Sequence, residues 1–150
     1  MRSQTAGGFT LIEVLLVLVI LGLLAAMVVP NLMKVGDRAK IDLARATVGP
    51  SGPIAQALDL FKLHVGRYPT TDEGLKALVE RPDGIEEDSD IWRGPYIMNP
   101  DQLKDPWRNE YQYKSPGDVN TETYDLWSNG PDGEEGTDDD IRNFKSDQEL

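Results

Sequence analysis

Apolar residues run almost without a break from Phe9 to Val29. About 20 apolar residues in a helix match the hydrocarbon thickness of a bilayer, so a membrane-spanning helix is predicted over residues 9–30. Beyond Pro30 the pattern turns amphipathic through Lys34, Arg38, Ile41, Leu43 and Ala46. It is then broken by Val48-Gly49-Pro50-Ser51-Gly52-Pro53, whose prolines and glycines end a helix. A second helix restarts with Ser51 or Gly52 as cap and Pro53 in its first turn. Its apolar face, Ile54, Leu58, Phe61 and Val65, has spacings of 4, 3 and 4 and stops near Gly66.

Thr70-Thr71-Asp72-Glu73 has the form of a capping box, and Leu75, Leu78 and Val79 predict a short amphipathic helix ending before Arg81-Pro82. Trp92–Met98, Glu110–Lys114 and Thr123–Ser128 are aromatic-rich runs bounded by Pro, Gly and Asn, which predict strands of a small antiparallel sheet. The fold class is α+β, a long N-terminal helix followed by a small head over residues 31–150.

Composition sharpens this picture. Hydrophobic residues make up 39% of the 150, but many lie in the first thirty positions, so the head core is thin. Small cores need a staple. With no cysteine it is not a disulfide, and a metal is the next candidate. The net charge of −11 argues against nucleic acid, whose affinity comes largely from Lys and Arg. Acidic residues gather at Glu86–Asp90 and Asp132–Asp140. The first run lacks glycines and reads as a solvated loop.

The N-terminus carries two anomalies. A secretory signal peptide has its small residues after the apolar run, whereas Gly7-Gly8 precedes it here; cleavage after Ala26 is the alternative. Glu13 is a carboxylate inside an apolar span, which costs about 2.5–3.5 kcal/mol on insertion scales. It either reaches headgroups or needs a cationic partner. Gly22 and Pro30 mark a stretch open to local melting, or a kink.

Gly7-Gly8-Phe9-Thr10-Leu11-Ile12-Glu13-Val14 resembles the leader junction of type IV pilins and type II secretion pseudopilins. The resemblance implies a leader of residues 1–8, cleavage by prepilin peptidase between Gly8 and Phe9, and N-methylation of Phe9. It gives Glu13 a role in assembly, pairing with the terminal amine of a neighbouring subunit, since two charges that are costly alone in low dielectric become tolerable together. Only Arg2 precedes the span, while Lys34, Arg38 and Lys40 follow it, so charge alone favours the opposite orientation. The resemblance places the N-terminus in the cytoplasm and the head in the periplasm, as a single-pass inner-membrane protein.

The likeness narrows along the head. Gly66-Arg67-Tyr68-Pro69-Thr70-Thr71, Glu73-Gly74-Leu75-Lys76-Ala77-Leu78-Val79, Gly94-Pro95-Tyr96, Asp105-Pro106-Trp107 and Tyr124-Asp125-Leu126-Trp127-Ser128 are similar to the major pseudopilins of type II secretion. Ordinary type IV pilins usually close the head with a cysteine pair, which is absent here. In the pseudopilin family the acidic glycine-rich loop holds one Ca2+. Carried over, the ligands are the carbonyl of Asn129, Asp132, the carbonyl of Thr137, Asp139 and Asp140, with Asp138 as the neighbouring alternative. The loop itself fails the EF-hand pattern, because Glu134 and Gly136 stand at two early ligand positions. Two departures stand out: the breakers at Gly49–Pro53, where the family is helical, and Asn129-Gly130-Pro131, where it prefers leucine and alanine.

The resemblance implies a structural subunit that polymerises with itself, with minor pseudopilins, an inner-membrane assembly platform, a separate ATPase and membrane lipid as partners. The resulting pseudopilus drives protein export through the outer membrane. A type IV pilin of a surface fibre for adhesion, motility or DNA uptake is the alternative. An anchored calcium-binding enzyme is a third reading, but no G-x-S-x-G, P-loop or two-histidine motif supports catalysis. His64, the single histidine, falls late on its helix, where a cation suits the dipole. Asp105-Pro106 reads as a turn, nothing in the sequence brings Asp105 to Asp125, and Trp92, Trp107 and Trp127 read as packing residues.

Overall fold

The computed structural model describes residues 10–86 and 90–144, without the side chains of 27–35. The elements in chain order are α1 (Leu11–Val48), α2 (Pro53–Val65), two 3-10 turns at Leu75–Leu78 and Pro100–Leu103, and strands β1 (Gln112–Lys114), β2 (Asp125–Ser128) and β3 (Ile141–Arg142). The fold is α+β, as the sequence predicts. The chain divides after Arg38 into two units.

The first unit holds the N-terminal part of α1. Thr10 caps it: the Glu13 N–H lies 3.1 Å from the Thr10 carbonyl and 3.3 Å from its hydroxyl. The large apolar side chains from Leu11 to Leu24 are exposed all around the helix. The assigned helix runs through Gly22 and Pro30 unbroken. Among the described residues no helix is long and apolar enough to cross a membrane. Phe9 and the side chains of 27–30, both parts of the expected span, lie outside what is described, as does the junction at Gly8.

In the second unit, the last turns of α1 and all of α2 supply the core: Ala44 and Val48 join Ile54, Leu58 and Phe61, with Leu78, Ile97 and Leu126. The interruption between the helices is tight. Gly52 is the N-cap of α2, with Pro53 next, and a Cβ there would fall 2.1 Å from the Thr47 carbonyl oxygen. Only glycine fits that approach. At its other end α2 is closed by Gly66, whose N–H donates to the Lys62 carbonyl at 2.8 Å.

The Thr70 capping box forms reciprocally. The Glu73 N–H donates to the Thr70 hydroxyl at 3.3 Å, and the Thr70 N–H donates to Glu73 Oε2 at 2.7 Å. Arg67 grips the same carboxylate with two bonds of 2.6 and 2.8 Å. The helix expected to follow is instead a four-residue 3-10 turn. In that geometry residues three apart eclipse, which turns Leu75 and Leu78 to the same buried side.

Trp92–Met98 is not a strand. Pro95 has no N–H for a ladder, and the Tyr96 and Ile97 N–H groups both donate to one carbonyl, that of Leu78, at 2.7 and 3.1 Å. The sheet is three-stranded and antiparallel in the order β1-β2-β3. β1 and β2 lie within the runs predicted as strands; β3 was not foreseen. Tyr113 pairs with Leu126, and Ser128 with Ile141.

The remaining sequence candidates fall into structural roles. His64 Nδ1 lies 3.1 Å from the Tyr96 hydroxyl. The Trp92 indole N–H donates to the Ala77 carbonyl, and Trp127 meets Phe144 edge to face. Asp125 is buried and accepts from the N–H groups of Val119 and Asn120 at 2.9 and 3.0 Å. It organises its own turn.

Candidate functional site

The acidic loop leaves the sheet at Ser128 and returns at Ile141, two residues that face each other across the β2–β3 ladder. Both loop ends are therefore fixed by strand pairing. Gly130 has φ of +67°, and a Cβ on it would meet the Asp139 carbonyl oxygen at 2.4 Å. The early and late parts of the loop thus press together at a point where no side chain fits.

The predicted ligands are distributed unevenly. Asp132 Oδ1 accepts the Glu134 N–H at 2.9 Å, and the Asp132 N–H donates to Asp139 Oδ2 at 3.3 Å. The Thr137 hydroxyl lies 2.6 Å from Asp139 Oδ1. That contact is the main reason the Asp139 carboxyl is held below the usual carboxylate range, against a smaller opposing effect of burial. The Thr137 carbonyl accepts a long bond, 3.4 Å, from the Asp140 N–H. Asp140 Oδ2 accepts from the Gly136 N–H at 2.9 Å and from the Arg142 guanidinium. Asp138 is exposed.

Among the described residues, no group of three carboxylate or imidazole side chains is gathered as a metal cluster. Two oxygens nonetheless stand out. Asn129 Oδ1 and Asp140 Oδ1 are buried and have no hydrogen-bond partner, and the Asp140 side chain is only 1% exposed. A buried acceptor without a donor costs about 1–3 kcal/mol. Both atoms are hard oxygens, the ligand type of Ca2+, which draws on carboxamide and carbonyl oxygens as well as carboxylates. By donor type these two oxygens suit that ion.

Three supporting residues escaped the sequence reading. Buried Ser128 donates to Asp105 Oδ2 at 2.6 Å and accepts the Gly130 N–H at 3.1 Å. Asp105 Oδ1 accepts the N–H groups of Trp107 and Asn109, each at 2.9 Å. Asn109 reaches the Gly130 carbonyl at 3.5 Å. The Asp105-Pro106 turn is thereby tied to the start of the acidic loop. Asp-Pro was the only local signal; the partnership with Ser128 exists in space alone.

Comparison with known proteins places these features. The family described as type II secretion system (T2SS), protein G, matches residues 31–146, and the prokaryotic N-terminal methylation motif matches residues 4–29. The type II secretion system core protein G of Vibrio cholerae is 48% identical over 145 residues, covering 96% of this chain and 94% of that protein. Its namesake from Aeromonas hydrophila is 47% identical over 144 residues, covering 96% of each. The crystal structure of the major pseudopilin from the type 2 secretion system of enterohaemorrhagic Escherichia coli superposes with a TM-score of 0.60 at 37% identity, over 77% of this chain and 92% of that one. With residues 31–146 matched by the family and the methylation motif ahead of them, the chain belongs to the protein G family of type II secretion systems, the major pseudopilins.

Proposed function

We propose that this chain is the structural repeat of a type II secretion pseudopilus, cut between Gly8 and Phe9 and methylated at Phe9. Residues 9–30 moor the subunit in the inner membrane, with the N-terminus cytoplasmic and the head periplasmic, until it joins the filament. The observation that carries this reading is the exposed apolar circumference of α1 from Leu11 to Leu24. A helix that is apolar all round is buried in lipid or among partner helices. Glu13 is the one charged side chain between Thr10 and Ala26. Its first-turn position suits the helix dipole within one chain and leaves the carboxylate exposed for the amine of a neighbouring subunit.

Copies of the same chain and minor pseudopilins are the filament partners, an inner-membrane platform assembles them, and a separate ATPase supplies force. The chain's own contribution is structural. The acidic loop holds one Ca2+ through the main-chain carbonyls of Asn129 and Thr137 and the carboxylates of Asp132, Asp139 and Asp140. Bound there, the ion neutralises crowded carboxylates and couples loop order to the end of the sheet.

N-terminal sequencing of the mature protein tests the first claim, with Phe9 expected as the leading residue; any other start removes it. Zero-length carbodiimide coupling in assembled filaments tests the second. A crosslink between the terminal amine of one subunit and Glu13 of another is expected, and Glu13→Ala filaments assembling at wild-type yield would overturn it.

A further inference from the structure

The two unpartnered buried oxygens belong to the residues that directly follow β2 and directly precede β3. Trp127 pairs with Arg142 and Ser128 with Ile141. Continued by one step, that register would bring Asn129 opposite Asp140, where side chains of an antiparallel pair are neighbours. Neither Asn129 Oδ1 nor Asp140 Oδ1 has a donor. Their companion atoms are taken: Asn129 Nδ2 donates to the Gly133 carbonyl at 3.3 Å, and Asp140 Oδ2 accepts from Gly136 and Arg142. These bonds leave one acceptor on each side chain without a donor.

We infer that the carboxamide Oδ1 of Asn129 is itself a cation ligand, converging with Asp140 Oδ1 on the Ca2+ of the acidic loop. This rests on the calcium reading proposed above and adds a side-chain oxygen where that reading uses the main chain of residue 129. The Nδ2 bond to Gly133 occupies the N–H side of the carboxamide and leaves its oxygen as the unpartnered acceptor. The Arg142 contact holds Asp140 in place from the opposite oxygen. A cation at that point satisfies both acceptors, and the anionic and neutral oxygens together provide the mixed ligand set that Ca2+ takes.

The test uses the full chain in detergent micelles, stripped with a chelator and titrated calorimetrically with calcium chloride. Wild type is expected to bind one ion. Asn129→Ala is expected to bind at least about tenfold more weakly, the loss of one good ligand oxygen. Independently of any variant, the Asn129 side-chain carboxamide carbon resonance of wild-type protein is expected to shift in step with calcium addition. Equal affinity of wild type and Asn129→Ala, or a carboxamide resonance that ignores calcium, overturns the assignment and leaves the calcium reading standing. No binding by wild type overturns both. Should Asn129→Ala fail to fold, the resonance decides.

Discussion

Ser128, the last residue of β2, donates its hydroxyl hydrogen to Asp105 at 2.6 Å, and both residues are buried. The same hydroxyl oxygen receives the Gly130 N–H, so one side chain joins the Asp105 turn, the sheet and the entrance of the acidic loop. Ser128→Ala strands a buried carboxylate oxygen and a buried N–H at once. A loss of about 1–3 kcal/mol of head stability is expected for each group left unsatisfied, measured by chemical denaturation.

Gly52 is constrained by space. Gly52→Ala drives a methyl group into the Thr47 carbonyl oxygen, and neither partner is a flexible side chain. Overpacking of this kind costs about 1–3 kcal/mol, so a clearly lowered Tm is expected. Alanine at exposed Gln56, on the following helix turn, serves as the control and should move Tm little.

Glu73 should make the head acid-sensitive. The two-pronged Arg67 contact, with further help from Thr70, holds its carboxyl below the usual 4.5, despite some opposing burial. A folded-state value below the unfolded one adds stability above the unfolded pKa and loses it as pH falls through the folded one. Glu73→Gln is therefore expected to lower Tm at neutral pH, with the gap to wild type closing below about pH 4.5. Melting curves across that range check it, and a pH-independent gap would assign the effect to capping alone.

The tyrosines predict the opposite limb. Burial pushes the Tyr124 hydroxyl up to about 12 and Tyr113 higher still, from an ordinary 10.0. Raised values mean the neutral forms stabilise the fold fully below pH 10 and progressively less as pH climbs through the folded-state values. Tyrosinate absorbance should lag behind free tyrosine and then rise cooperatively with unfolding. Tyr124→Phe, which removes a titrating group, should blunt the alkaline loss.

Calcium removal is the remaining expectation. If the acidic loop holds the ion, saturation at about one hundred times Kd adds about 2.7 kcal/mol. A chelator should then lower Tm and open the segment after Ser128 to proteolysis before α2 is cut. Identical melting and cleavage patterns with calcium and with chelator would reject the loop assignment.

The features legible in the sequence were those settled by near neighbours. Pro53 and Gly66 bracket α2 because each acts on its own turn, and the Thr70–Glu73 box forms from residues three apart. Distance in the chain defeated the rest. Trp92–Met98 has strand composition, yet the N–H groups of Tyr96 and Ile97 are claimed by Leu78, an acceptor invisible to local reading. β3 is two residues long, and only its pairing with Trp127 and Ser128 makes it a strand. At the candidate site the sequence showed an acidic, glycine-rich loop, and the resemblance named the carboxylates within it. The orphaned oxygens, the Arg142 contact and the Asp105–Ser128 link required side chains in place.

The brevity of β3 has a mechanical corollary. With no cysteine in the chain, no covalent clasp holds residues 141–144; they are kept by the two paired positions of β3 and the bonds of Asn143 to Leu126 and Tyr124. Reductants have nothing to cut there. The end of the sheet is thus retained by pairing, hydrogen bonds and the packing of Ile141 into the core, all of them non-covalent.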